Sequence, residues 1–90
     1  MTVATLRALT ELADGQHGVI ASVHASGELV DETTVQRLAE IGFLPGEPVR
    51  VLRRGPGGRE PIAVQVGDTL FALRWVEARC VDVLPEAAGD

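Results

Sequence analysis

Seven residues, Gly42 to Pro48 (GFLPGEP), hold two glycines and two prolines. No helix and no strand interior tolerates that density, because glycine frees the backbone and proline removes an amide donor. The stretch must be a junction. Before it, Val35, Leu38 and Ala39 recur at helical spacing, and Asp31 stands where an N-cap should, with Glu32 in the first turn favourable to the helix dipole. After it, VRVLRR alternates with Val49 and Val51 inward and Arg50 outward. Gly42 is predicted to take the left-handed position of a Schellman cap, with Phe43 closing over Leu38. Leu44-Pro45-Gly46-Glu47 fits a type II turn, and Pro48 then opens a strand.

The same punctuation recurs along the chain. TLRALTELADGQHG has Leu6, Leu9 and Leu12 three apart, which suits a short N-terminal helix stopped by Asp14-Gly15. GVIASVH reads as a strand with Val19, Ala21 and Val23 on one face and Ile20, Ser22 and His24 on the other. ASGELV reads as loop and GPGGRE as a flexible hairpin tip. PIAVQV is a strand with Ile62, Val64 and Val66 on one face, and Gly67-Asp68 is a two-residue hairpin turn. TLFAL is apolar on both faces, which predicts a strand covered on both sides. RWVEA is a single tight turn, and RCVDV a last strand with Val81 and Val83 inward.

Five strands of 5–7 residues, one connecting α-helix and a short N-terminal helix describe a small, mainly β, strongly curved barrel. At 90 residues the chain is one domain, over residues 1–85, followed by a frayed tail at 86–90.

Composition narrows the function classes. Thirteen acidic against eight basic residues leave a net charge of −5, which disfavours a nucleic acid partner. No apolar run approaches the ~20 residues of a membrane span, and no signal core follows Met1, so a cytoplasmic, non-inserted protein is expected. The single Cys80 excludes an internal disulfide and a multi-cysteine zinc site, and reads as a buried apolar residue. All eight bases are arginine, so the glycine-rich RRGPGGRE lacks the lysine of a phosphate loop, and it leads into a strand where that loop needs a helix.

Ser22 and His24 share a strand face without a nucleophile elbow or an evident third member, so no catalytic site is expected. His24 with Asp31 and Glu32 could offer ligands to a divalent ion if the intervening loop folds back. His17 lies a strand's length away and on the opposite face, and no established metal motif is matched.

One resemblance goes further. The helix exit Arg37-Leu38, Ile41-Gly42-Phe43 and Pro45-Gly46, the hairpin with Pro56, Gly58 and Pro61, then Ala72-Leu73-Arg74 and Glu77-Ala78, follow in the order and spacing of the FeoA family. Leu12, Gly15, Gly18 and Ile20 are similar to its N-terminal stretch. The hairpin GPGGREP departs from the usual form, being one residue longer and lacking a large apolar residue after Pro56.

The resemblance implies an SH3-like barrel that acts as a cytoplasmic accessory protein of bacterial ferrous iron uptake. It would bind and regulate the membrane ferrous permease FeoB through that protein's GTP-hydrolysing domain, standing peripheral to the inner membrane. It would not be an enzyme, nor hold a tightly bound cofactor. The alternative it implies is a metal-responsive regulatory domain of the iron-dependent repressor type, for which His17 and His24 are the weak ligands to Fe(II) or Zn(II). For a docking face the expectation is Arg53, Arg54 and Arg74 around Trp75, since arginine and tryptophan are enriched at interface hot spots.

Overall fold

The computed structural model describes residues 5–25 and 31–86. Its strands are β1 (Arg7–Ala8), β2 (His17–Val23), β3 (Pro48–Arg54), β4 (Ile62–Val66), β5 (Thr69–Leu73) and β6 (Val81–Pro85), with helices α1 (Glu32–Glu40) and α2 (Trp75–Ala78). They form one antiparallel sheet in the order β1-β6-β2-β3-β4-β5. The mainly β architecture with one connecting helix is as expected, and three details differ.

The sheet has six strands, the sixth being the two residues Arg7–Ala8 paired with Val83 and Asp82. Leu9–Glu11 is a 3-10 turn in place of the expected α-helix. A three-residue leucine spacing is the period of a 3-10 helix, and it buries Leu9 and Leu12 while Leu6 stays 51% exposed. Among the described residues the barrel is also not closed by hydrogen bonds: β1 and β5 are its two edges. α2 packs against the Leu9–Glu11 turn, bringing the buried Ala78 into the same core as Leu9.

The junction behaves as its residues dictate. Asp31 Oδ1 accepts from the Thr34 amide at 3.0 Å. At the other end the Phe43 amide donates to the Leu38 carbonyl at 3.0 Å and the Gly42 amide to Ala39 at 3.1 Å, the two bonds of a Schellman cap, with Gly42 at φ +124. Glu47 then donates to Leu44 at 3.1 Å across Gly46 at φ +93, completing the type II turn. That turn docks on β2: the Gly46 amide donates to the Ile20 carbonyl at 2.8 Å, and the Ile20 amide to Glu47 at 2.9 Å.

The core is built from the inward faces of the strands, Ile20, Val49, Val51, Ile62, Val64, Val66, Leu73, Val81 and Val83, sealed by Leu38 and Phe43. Cys80 is buried, its thiol donating to the Val76 carbonyl at 3.2 Å. Glu86 still donates to the His17 carbonyl at 2.9 Å, so the chain stays tied to the sheet through that residue. The expected tail beyond it and most of the ASGELV loop, residues 26–30, lie outside the described residues.

Two bulges set which side chains face out. One, between Ile20 and Ser22, leaves Ala21 unopposed. The other, between Val51 and Arg53, does the same for Leu52. Each shifts the alternation by one residue, so Ile20 and Val23 both pack on the core although they differ in parity. For the same reason Arg53 lies opposite Ala63 on the outer face, and Arg54 opposite the buried Ile62.

Candidate interaction surface

β5 is an edge strand, and its outer side chains Leu70 (65% exposed) and Ala72 face solvent. The expectation of a strand covered on both sides is corrected here. An apolar residue pair on both faces reports burial only when another layer exists, and none of the described residues lies over this face of β5. On the other side of the same strand, Phe71 and Leu73 with Leu38, Ile41, Arg37 and Thr34 of the α1 region, and Glu77 of α2, line a cleft of about 160 Å³. Ile41 and Leu44, both more than 40% exposed, stand at the end of α1.

Along the chain from Ala72 come Arg74 and Trp75. The Arg74 amide donates to Glu77 Oε1 at 2.8 Å, half of a capping box that starts α2. Trp75 is half-buried, with the core under it, and its amide donates to Glu60 Oε1 at 2.7 Å. The Arg59 guanidinium lies 4.6 Å from the centre of the Trp75 ring, a cation–π contact. The GPGGRE segment is therefore folded over the tryptophan. Within it the Gly55 amide donates to the Pro61 carbonyl at 2.9 Å and the Gly58 amide to the Gly55 carbonyl at 2.9 Å.

Of the four residues expected to form a docking face, Arg53, Arg74 and Trp75 lie on or beside this outer surface, with Arg59 added by the fold. Arg54 is committed elsewhere. Its guanidinium donates to Asp14 Oδ1 at 2.6 Å, to the Thr10 carbonyl at 2.8 Å and to the Leu12 carbonyl at 2.7 Å, with only 13% of the side chain exposed.

The histidines are placed apart. His17 is exposed beside Arg50 at the start of β2, a neighbour that repels cations. The bulge at Ala21 brings Ser22 and His24 to the outer face that His17 occupies, where sequence alternation had set them opposite. The two histidines are still separated by the strand length, about 20 Å. Asp31 spends its carboxylate on the α1 cap, and among the described residues it makes no contact with His24.

His24 has a partner that no spacing could have revealed: its Nε2 lies 3.1 Å from Asp82 Oδ2, and the Ser22 hydroxyl donates to the same oxygen at 3.4 Å. The order of contacts excludes a nucleophilic relay, because the aspartate stands between serine and histidine where the imidazole would have to be. Among the described residues no three His, Cys, Asp or Glu side chains converge on one point.

The Ala25 carbonyl, 3.1 Å from Nδ1, and then the Asp82 carboxylate raise the His24 pKa above the ordinary 6.5, against the opposing effect of partial burial. Its contribution to stability is thus fully present below pH 6.5 and lost as pH rises through the raised value. Because the side chain is 51% exposed, the effect stays under about 1 kcal/mol. Urea unfolding of the wild type and His24→Gln in the presence of a chelator is expected to differ at acid pH and to converge at alkaline pH.

The FeoA domain family model matches residues 7–85. The FeoA of Stenotrophomonas maltophilia, crystallised in complex with zinc and described as an SH3 domain protein that is a candidate activating factor of ferrous iron transport, is 44% identical. The match covers 83% of this chain and 86% of that one, with a TM-score of 0.73. The FeoA of Chlorobium tepidum, solved by NMR, is 30% identical over 93% of this chain and 74% of its own, with a TM-score of 0.78. A manganese-dependent transcriptional repressor shares the fold at 24% identity and a TM-score of 0.76, this chain spanning 44% of its length. No curated protein sequence matched the chain.

Proposed function

Because the chain belongs to the FeoA family, a family of SH3-like proteins associated with ferrous iron transport, we propose that it is a non-enzymatic accessory protein that docks on the cytoplasmic GTP-hydrolysing domain of the ferrous permease FeoB. The observation that carries a docking role is the edge of β5, unpaired among the described residues, where exposed Leu70 and Ala72 lead into Arg74 and the Arg59-covered Trp75. A free edge offers backbone hydrogen bonds to an added strand, and arginine beside an aromatic supplies anchoring contacts.

On this reading the protein works in the cytoplasm and meets the membrane only through its partner. No helix among the described residues is long and apolar enough to cross a bilayer. It holds no cofactor tightly, and a weakly held Fe(II) or Zn(II) is compatible with the role. The alternative of a metal-responsive repressor domain rests on likeness of fold alone.

Calorimetric titration with the isolated GTP-hydrolysing domain of the same organism's permease, in nucleotide-free, GDP and GTP-analogue states, is expected to show micromolar or tighter binding in at least one state. Arg53→Glu combined with Arg74→Glu is expected to weaken it at least about tenfold, or ~1.4 kcal/mol. No binding in any state contradicts the partner; binding that survives both charge reversals contradicts the face.

A further inference from the structure

We propose that His24 and Asp82 form a chelating pair for a divalent transition metal at the open end of β2 and β6. Zinc-type ions take imidazole nitrogen and carboxylate oxygen at about 2.0–2.2 Å, so two such ligands at octahedral to tetrahedral angles stand about 2.8–3.6 Å apart. His24 Nε2 and Asp82 Oδ2 are 3.1 Å apart. An ion can therefore take the place of the shared proton without moving either side chain far.

The surroundings orient both ligands as metal sites require. The Nδ1–H of His24 donates to the Ala25 carbonyl at 3.1 Å, which fixes the tautomer that leaves the Nε2 lone pair on the Asp82 side. The Ser22 hydroxyl donates to Asp82 Oδ2 at 3.4 Å and steadies the carboxylate. The backbone is equally set: the His24 amide donates to the Cys80 carbonyl at 2.9 Å, tying the end of β2 to the residue before β6.

Both side chains are accessible, 51% and 26% exposed, so water can complete the coordination. One borderline nitrogen and one hard oxygen suit Zn(II) or Fe(II) better than Ca(II) or Mg(II), which prefer all-oxygen shells. His17 offers no such pair, having Arg50 across from it. This inference does not depend on the permease partner.

The test is an NMR titration of the chelator-treated, isotope-labelled full chain with zinc chloride. The expected result is a shift of the His24 imidazole resonances and of the His24, Ala25 and Asp82 amides, with His17 unmoved. Asp82→Asn, which keeps the size and hydrogen-bonding capacity of the side chain, is expected to lower zinc affinity about tenfold or more. His24→Gln, at an exposed position, gives the same loss should Asp82→Asn disturb the sheet. Unchanged affinity in either folded variant, shifts centred on His17, or no shift at His24 at all would show an ion pair and nothing more, and would overturn the proposal.

Discussion

Phe43→Ala is expected to lower the stability of the fold by about 3–5 kcal/mol. Phe43 is fully buried, and it carries two duties at once. Its amide makes the outer bond of the cap that ends α1, and its ring meets Phe71 with centroids 5.1 Å apart and planes tilted by 53°. Truncation removes the burial of an aromatic ring, opens a cavity between α1 and the sheet, and takes away an aromatic pair worth about 0.5–1.5 kcal/mol beyond its area. A domain of this size has about 5–15 kcal/mol in total. At roughly 4–8 °C per kcal/mol, the midpoint of thermal unfolding should fall by more than about 12 °C. Leu44→Ala, one residue further on and 47% exposed, is the control and should change little. Similar midpoints for the two variants would mean that the cap and the core are not coupled through Phe43.

Arg54→Met is expected to cost about 2–4 kcal/mol, whereas Arg53→Met should stay within about 0.5 kcal/mol. Methionine keeps most of the aliphatic stem, so the loss measures the guanidinium. In Arg54 that group satisfies the Thr10 and Leu12 carbonyls and pairs with Asp14, pinning the N-terminal 3-10 segment against β3. Bonds from a charged donor to part-buried carbonyls are worth more than an exposed ion pair, so the two carbonyls dominate over Asp14, which is 57% exposed. Amide exchange should reveal the same asymmetry. Protection of Leu12 and Gly15 should fall in Arg54→Met and remain in Arg53→Met, since the Gly15 amide donates to Val51 beside this anchor at 2.6 Å. Equal stability of the two variants would contradict the anchoring role.

These adjacent arginines also mark where sequence reasoning ended. The Gly42 cap, the Pro45-Gly46 turn and the inward valines were legible because their causes are local: a positive φ, a missing amide donor, a two-residue period. Arg53 and Arg54 look alike in the sequence. Only the bulge at Leu52 turns one to solvent and the other toward Asp14, 40 residues away. Asp82 is further still from Ser22, 60 residues off, and no spacing rule connects them. Leu70 and Ala72 misled for a different reason. Their apolarity is a property of the strand, but its exposure is a property of strand order, and alternation cannot tell an edge strand from a covered one. Arg7–Ala8 carries no signal at all, two residues being too few for any period.

The proposed docking role places the partner on the β5 edge and its arginine and tryptophan neighbours. The direct measurement is amide chemical-shift mapping of the isotope-labelled chain during titration with the permease's GTP-hydrolysing domain. The largest perturbations are expected on Leu70, Ala72, Arg74 and Trp75, with β6 and the start of β2 unaffected. Perturbations confined to β2 and β6, with β5 and α2 silent at saturation, would contradict it.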